Sequence, residues 1–265
     1  MDYWDEKLRR REFKREKEQR YLRKRSELDE ALEEVFDRRT LLTVYELMNN
    51  HQIEDFGGVL SSGKESRIYY ARAGDGSELA VKIYLITSAE FRRNRLQYVV
   101  GDPRFKKVPS DFRKFTYLWA KREYSNLEEA CKHGIPVPKP RFCRENVLGM
   151  SFLGENGLRY PLLEETELDA NDYRDLALEI FDIVGRLYQE AAMVHGDLSQ
   201  FNIIVARGLK PYLIDLAQAV SRMHPLAGRL LEHGVAVLVD FFSKRGVNGL
   251  EEAKVLKAIV GEKSL

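Results

Sequence analysis

Asp197 and Asn202 lie five positions apart in Val194-His195-Gly196-Asp197-Leu198-Ser199-Gln200-Phe201-Asn202-Ile203-Ile204-Val205, between an apolar run and a β-branched one. A second carboxylate, Asp215, ends another apolar run, Tyr212-Leu213-Ile214. Short buried strands of this kind bring the three polar groups together at their ends. Any one of them alone is what a turn or a helix cap requires. The ordered set, with flanking strands and fixed offsets, points instead to phosphoryl transfer from a metal-bound nucleotide. Asp197 orients or deprotonates the attacking group, and Asn202 and Asp215 hold the metal on the phosphates.

Such a set needs elements that present phosphates to it. Gly57-Gly58-Val59-Leu60-Ser61-Ser62-Gly63-Lys64-Glu65-Ser66 predicts a phosphate-binding loop. Its small residues admit backbone N–H groups to phosphate oxygens, and the serine hydroxyls add donors. Gly58 and Gly63-Lys64 also fit a G-x-x-x-x-G-K loop, but Glu65 stands where that loop needs Ser or Thr, and no helix follows. Instead Arg67-Ile68-Tyr69-Tyr70-Ala71, a Gly74-Asp75-Gly76 turn and Glu78 to Tyr84 read as a β-hairpin with Lys82 on its second strand. Phe115 to about Lys132 reads as a helix with Phe115, Leu118, Trp119 and Leu127 on its apolar side and Glu123 two turns in. Gly134-Ile135-Pro136-Val137-Pro138 ends it. Asn146 to Gly154 is a strand, and Tyr173 to Tyr188 keeps a helical period that belongs to the core. Near the start, Asp37 predicts a helix N-cap. Leu41, Val44, Tyr45 and Met48 then form the packed face of a short helix ending near Asn49-Asn50.

With 44% hydrophobic and 32% charged residues, the composition is that of an ordinary soluble domain. The length suffices for one bilobal domain or two small ones. A net charge of +1 gives no global field for DNA, so any nucleic-acid contact rests on local patches. Two patches qualify. The first residues, to about Arg39, are almost wholly charged, with Arg9-Arg10-Arg11 and Arg23-Lys24-Arg25 among glutamates. They read as a solvated helical arm, with RNA or a partner as the alternative. From about Ser88 to Asp111, Arg92, Arg93, Arg95, Arg104, Lys106 and Lys107 surround Tyr98 and Phe105. That segment is either a solvated loop or a surface for RNA phosphates and unpaired bases. Cys131 and Cys143 lack metal-ligand spacing and a disulfide framework, which favours a reducing cytoplasm. No apolar run reaches membrane-spanning length, so no membrane partner is expected.

The His195-x-Asp197…Asn202 spacing followed by Asp215 resembles the H-R-D-L-x-x-x-N and D-F-G elements of protein kinases. Gly196 replaces the arginine, Leu216-Ala217 replaces Phe-Gly, and no A-P-E follows. These departures make the chain most similar to the atypical RIO serine/threonine kinases, in their RIO1-like, archaeal-type branch. Ser61 to Tyr69 is similar to their S-T-G-K-E-A-x-V-Y loop, and Ala120 to Tyr124 to A-x-x-E-x. Asn146 to Gly154 is similar to L-x-M-E-F-I-G. Ile214 to Val220 with His224-Pro225 is similar to I-D-x-x-Q-x-V followed by H-P, which makes His224 a helix-start contact.

The resemblance spans about residues 37–247 and implies an α/β (α+β) bilobal kinase-like fold without activation-loop and A-P-E subdomains. A charged extension would occupy residues 1–36. The N-lobe, residues 37–150, would hold a small antiparallel sheet with one helix beside the N-terminal one, the phosphate loop and a mobile basic insertion. A mostly helical C-lobe would occupy residues 151–265. ATP with Mg2+ or Mn2+ is implied. Ser61, Ser62, Gly63 and Lys64 would lie on phosphates, and Lys82, paired with Glu123, on the α- and β-phosphates. Met150 would be the gatekeeper, with the backbone of Ser151 and Leu153 on the adenine edge. Asp197 would be catalytic, Asn202 a metal ligand, and Asp215 both a metal ligand and a transient phosphate acceptor. The family further implies serine autophosphorylation, an ATPase switch, and a role in maturing the small ribosomal subunit, with precursor rRNA and ribosomal proteins as partners. Two other classes remain open. One is a small-molecule kinase of the aminoglycoside or choline type, which shares H-G-D-L-x-x-x-N. The other is a nucleotide-gated RNA-binding module with little catalysis.

Overall fold

The computed structural model describes residues 35–86, 89–105 and 107–261. The charged extension thus lies almost wholly outside the described residues, as do Ser88 and Lys106. Strands β1 (Asp55–Ser62), β2 (Ser66–Arg72), β3 (Glu78–Tyr84), β4 (Pro140–Arg144) and β5 (Val147–Ser151) form one antiparallel sheet in the order β1-β2-β3-β5-β4. Side-chain alternation divides β3 between two faces. Leu79, Val81 and Ile83 are buried against helix α1 (Arg38–Asn49) and its surroundings. Ala80 and Lys82 point the other way, into a cleft.

The Asp37 carboxylate caps α1, accepting from the amides of Arg39 and Thr40 at 3.1 and 3.4 Å. The buried face of α1 is Thr40, Thr43, Val44 and Leu47. This corrects the expected face, because Leu41, Tyr45 and Met48 are only half-buried at its border. Polar docking rotates the helix. Asn146 Nδ2 donates to Thr40 Oγ1 at 3.0 Å, and Thr43 Oγ1 donates to Glu145 Oε2 at 3.1 Å.

The segment read as a basic loop contains helix α2 (Ala89–Val99). Phe91 and Val99 pack with Tyr84 against Phe115, Trp119 and Ala120 of helix α3 (Phe112–Lys132). Its arginines are part of that packing. Arg92 lies 5.8 Å from the Phe115 ring centre and donates from Nε to the Pro109 carbonyl at 3.2 Å. Arginine stems and guanidinium planes cover aromatic rings well, so a basic segment can still be a packed one. The sheet half therefore carries α1, α2 and α3. Arg93 and Lys107 remain exposed.

The other half is built on helices α4 (Ala170–Gln189), α5 (Ala227–Lys244) and α6 (Glu252–Val260). Leu176, Ile180, Val184 and Leu187 of α4 meet Val235, Leu238, Phe242 and Ile259 in one core. Full burial of a Leu, Ile or Phe contributes about 1.5–3 kcal/mol each. A small hairpin, β6 (Gly154–Glu155) and β7 (Leu158–Arg159), follows β5. Two short ladders lie on the helices and present the polar residues. β8 (Met193–Val194) pairs with β11 (Val220–Ser221), and β9 (Ile203–Ala206) pairs with β10 (Lys210–Leu213). Asp197 follows β8, Asn202 precedes β9, and Asp215 follows β10. No helix of the described residues is long and apolar enough to cross a membrane.

Candidate active site

A cleft of about 400 Å³ opens between the halves, lined by Leu60, Ser61, Ile68, Ala80 and Met150 on one side and by Phe201, Asn202, Ile204 and Asp215 on the other. Lys82 and Glu123 line it as well. The Lys82 ammonium donates to Glu123 Oε1 at 3.0 Å and to Asp215 Oδ1 at 2.8 Å. The Tyr84 hydroxyl donates to the other Glu123 oxygen. Lys82 and Glu123 are buried, whereas the Asp215 side chain is 43% exposed. Burial alone would lower the Lys82 pKa, but Asp215 and Glu123 outweigh it and raise it. Burial would raise the Asp215 carboxyl, yet the Lys82 charge holds it below the ordinary range. For Glu123 burial wins over Lys82, and its pKa rises.

The loop before β9 is tied to the loop after β10. Asn202 Nδ2 donates to the Asp197 carbonyl at 2.7 Å and to Asp197 Oδ2 at 3.3 Å. Gln218 Nε2 donates to the same Oδ2 at 3.0 Å. The His195 ring lies beneath, with Nε2 2.9 Å from the Ile214 carbonyl. Burial lowers its pKa, which favours a neutral ring donating that bond. Gly196 has φ +82°, and a Cβ there would collide with the Gln218 carbonyl. This accounts for glycine at the position where the H-R-D element of protein kinases has arginine. Asp215 itself has φ +60°, a left-handed conformation uncommon outside glycine. Such backbone costs on the order of 1–3 kcal/mol and persists where neighbours over-determine it.

Those neighbours were not foreseen from the sequence. Behind Asp215, Arg122 donates from Nε to the Ala217 carbonyl at 3.1 Å and from Nη2 to the Ala219 carbonyl at 2.6 Å. Asn126 Nδ2 donates to the Leu216 carbonyl at 2.7 Å. Asp102, in the turn after α2, accepts from Arg122 at 3.1 Å and from Arg104 at 2.7 Å. Arg104 also donates to Asn126 Oδ1 at 2.8 Å. His224 Nε2 lies 3.0 Å from the Val100 carbonyl, and its Nδ1 accepts the Leu226 amide just before α5. It is a helix-start contact that also tethers the insertion.

The remaining expected residues are placed as follows. Gly57 and Gly58 lie within β1, so the loop narrows to the end of β1 and the Gly63-Lys64-Glu65 turn, closed by the Gly63 amide on the Ser66 carbonyl at 3.0 Å. Gly57 is needed because a Cβ there would collide with the Tyr70 ring. Ser61, Ser62, Gly63 and Lys64 are exposed along that edge. Met150 is buried in the cleft wall. The Ser151 amide is already used, donating to the Lys139 carbonyl at 2.8 Å. The Leu153 amide makes no hydrogen bond among the described residues, while its carbonyl accepts from Tyr160 at 3.0 Å.

Asn202 and Asp215 suit a hard divalent cation. The Asn202 amide nitrogen is occupied, which leaves its oxygen as the ligand atom, and Lys82 takes only one Asp215 oxygen. No group of three or more His, Cys, Asp or Glu side chains able to hold a metal exists among the described residues. Mg2+ fits such a sparse set, since it keeps waters and draws its other ligands from phosphate.

An antiparallel sheet whose Lys82 pairs with Glu123 of α3, set over a helical half that presents Asp, Asn and Asp, defines a kinase-like fold. The chain belongs to the RIO domain family, which it matches over residues 67–255. It is 37% identical over 216 residues to the RIO-type serine/threonine-protein kinase Rio1 of Methanocaldococcus jannaschii, covering 81% of this chain and 72% of that protein. It is 35% identical to the human serine/threonine-protein kinase RIO1 and 33% identical to RIO3 of Caenorhabditis elegans. These cover 89% and 90% of this chain, which in turn spans 42% and 46% of those two relatives. Among solved structures, the Rio2 kinase–ADP/Mg2+–phosphoaspartate complex from Chaetomium thermophilum superposes with a TM-score of 0.64 at 21% identity, covering 84% of this chain and 66% of that one.

Proposed function

We propose that the chain is an ATP-dependent atypical serine/threonine kinase with ATPase activity. The observation that carries this reading is Lys82 bonded at once to buried Glu123 and to half-open Asp215 in the cleft wall. Lys82 is thereby fixed where it meets phosphate oxygens. The free Leu153 amide and the Met150 wall receive a base, with Leu153 rather than Ser151 supplying the N–H. Ser61, Ser62, Gly63 and Lys64 border the phosphates. Gln218 and Asn202 fix the Asp197 carboxylate, which accepts the proton of an attacking hydroxyl or water. Asn202 and Asp215 hold Mg2+ or Mn2+, which when bound neutralises charge on the phosphates. Asp215 is also the residue we assign as a transient phosphate acceptor, a reading supported by the phosphoaspartate in the Chaetomium Rio2 complex. Family resemblance supports autophosphorylation on serine and a role on the precursor of the small ribosomal subunit.

Mass spectrometry after ATP/Mg2+ turnover, with and without ribosomal particles, tests the reading. Asp197→Asn is expected to keep nucleotide affinity and lose about 10²–10⁴ in turnover. A hydroxylamine-sensitive label is expected on the wild type and absent from Asp215→Ala. Wild-type turnover in Asp197→Asn would remove it as the catalytic residue, and a persisting label in Asp215→Ala would remove the acyl-phosphate assignment.

A further inference from the structure

Ala80, Lys82 and Tyr84 hold alternate positions of β3 and so share one face of the sheet. Ala80 and Lys82 line the cleft. Tyr84 does not, and lies buried with Phe91, Phe115, Trp119 and Ala217. It nonetheless touches both members of the cleft's ion pair. Lys82 Nζ lies 5.1 Å from the centre of its ring, and its hydroxyl donates to Glu123 Oε2. Each oxygen of Glu123 thus has one donor, Lys82 on Oε1 and Tyr84 on Oε2. Glu123 is buried at 1% exposure, so water does not stand in for either donor. Burial and the charge of Glu123 hold the Tyr84 pKa well above its ordinary value, which keeps the hydroxyl a donor.

Tyr84 is itself fixed at both backbone groups by one residue. Its amide donates to the Asn146 carbonyl at 2.9 Å, and its carbonyl accepts from Asn146 Nδ2 at 2.7 Å. Asn146 is fully buried, and its Nδ2 also donates to Thr40 Oγ1 of α1. A phenylalanine would fill the same space with no hydroxyl to satisfy, so packing does not account for the hydroxyl.

We propose that Tyr84 is a positioning residue for phosphoryl transfer: by occupying Oε2 of Glu123 it confines that carboxylate to one contact with Lys82 and leaves the ammonium able to reach Asp215 and the phosphates. The proposal rests on the kinase reading above. Without the hydroxyl, Lys82 is the only side-chain donor left to Glu123. The carboxylate then turns both oxygens to the ammonium and draws it back from the cleft.

The test is a double-mutant cycle on the full chain with Tyr84→Phe, Glu123→Gln and the two together. ATP turnover, calorimetric affinity for ADP with Mg2+ and urea unfolding are measured on each. Tyr84→Phe keeps the ring and its volume, and the urea curves show that each variant is folded. It is expected to lower turnover about 10–100-fold, the worth of one hydrogen bond to a charged group, and to weaken ADP several-fold. In the Glu123→Gln background the same substitution is expected to change both by less than about twofold, because a neutral amide no longer draws Lys82 back. Equal losses in the two backgrounds would mean that the hydroxyl supports the fold without acting through Glu123, and that result overturns the proposal. If the wild type turns over no ATP, yet the hydroxyl alters ADP affinity only where Glu123 is present, the kinase reading fails and the positioning role stands. If the wild type turns over and Tyr84→Phe matches it, only this inference fails.

Discussion

Two charged clusters meet on successive residues of one helix. Glu123 of α3 faces the cleft, where it joins Lys82, Tyr84 and Asp215. Arg122 faces away, into a cluster with Asp102, Arg104 and Asn126 that grips the carbonyls of Leu216, Ala217 and Ala219. Both clusters therefore act on the segment that begins at Asp215, one from the front and one from behind. They differ in closure. The Arg122–Asp102 pair has no exposed side chain on either partner, while Asp215 is 43% exposed. Burial pushes the Arg122 guanidinium down to about 10, against the charge of Asp102. The front cluster keeps a carboxylate available for chemistry. The rear one gives up availability and fixes where that carboxylate stands.

If that division holds, the two clusters separate activity from stability. Lys82→Met is expected to lower turnover by about 10²–10³, the largest effect on the front side. Its effect on unfolding should stay below about 1.5 kcal/mol, because the new side chain fills similar space. Glu123 keeps the Tyr84 hydroxyl as a partner when Lys82 is gone, and burial, which already raises its pKa, then favours the neutral carboxyl further. Urea unfolding beside steady-state kinetics checks both halves. A stability loss as large as that of a rear-cluster variant would erase the contrast.

Arg122→Leu is the matching break behind. It leaves the Ala217 carbonyl without its Arg122 donor and Asp102 with Arg104 alone. Removing one partner of a buried pair typically costs 3–5 kcal/mol. Since Arg104 remains, about 3 kcal/mol is expected in urea unfolding. A loss under about 1 kcal/mol, the ordinary surface value, would mean that the rear cluster does not hold the loop.

A smaller effect joins the two sides. Gln218 belongs to the gripped segment, yet its side chain reaches forward to Asp197 at 3.0 Å. A hydrogen bond to a charged group is worth about 1.5–3 kcal/mol, and Asn202 retains part of the hold on Asp197. Gln218→Ala is therefore expected to lower kcat about tenfold with KM for ATP unchanged. A change in KM alone would place Gln218 in nucleotide binding instead.

The Lys82–Glu123 pair of the front cluster was legible in the sequence; Tyr84, the Lys82–Asp215 contact and the rear cluster were not, for a physical reason. Ala-Val-Lys on a strand, Glu two turns into a helix and Asp at a strand end are each marked by apolar residues at fixed offsets. The same apolar marks gave the antiparallel sheet, the hairpin and the helical half. A buried arginine has no such mark. Arg122 lies beside Lys121, which is exposed, and nothing in residue type distinguishes them. The solvated-loop reading of the insertion failed likewise, because its arginines suggested solvent while Phe91, Leu96 and Val99 make a helical face. Side-chain hydrogen bonds also moved the buried face of α1 onto Thr40 and Thr43, positions that hydropathy passes over.

The mildest way to sharpen the comparison is acid. Burial alone would raise the Asp102 carboxyl, but hydrogen bonds from Arg104 and the charges of Arg104 and Arg122 outweigh it and hold the pKa below 3.8. In the unfolded chain the group returns to its ordinary value. Below that value the unfolded state binds more protons than the folded one, so stability falls as pH falls. The contribution of Asp102 is thus fully present above the unfolded pKa and is lost as pH drops through the depressed folded one. Asp102→Asn removes that titration together with the charge. The stability gap between wild type and Asp102→Asn should be widest above about pH 5 and narrow steadily below about pH 4, with a slope of at most about 1.4 kcal/mol per pH unit for one group. Urea midpoints at closely spaced pH values read the gap directly. A gap constant across that window would mean that Asp102 titrates alike folded and unfolded. Its value to the loop would then lie in shape and hydrogen bonding, and the rear cluster would hold Asp215 without drawing on charge.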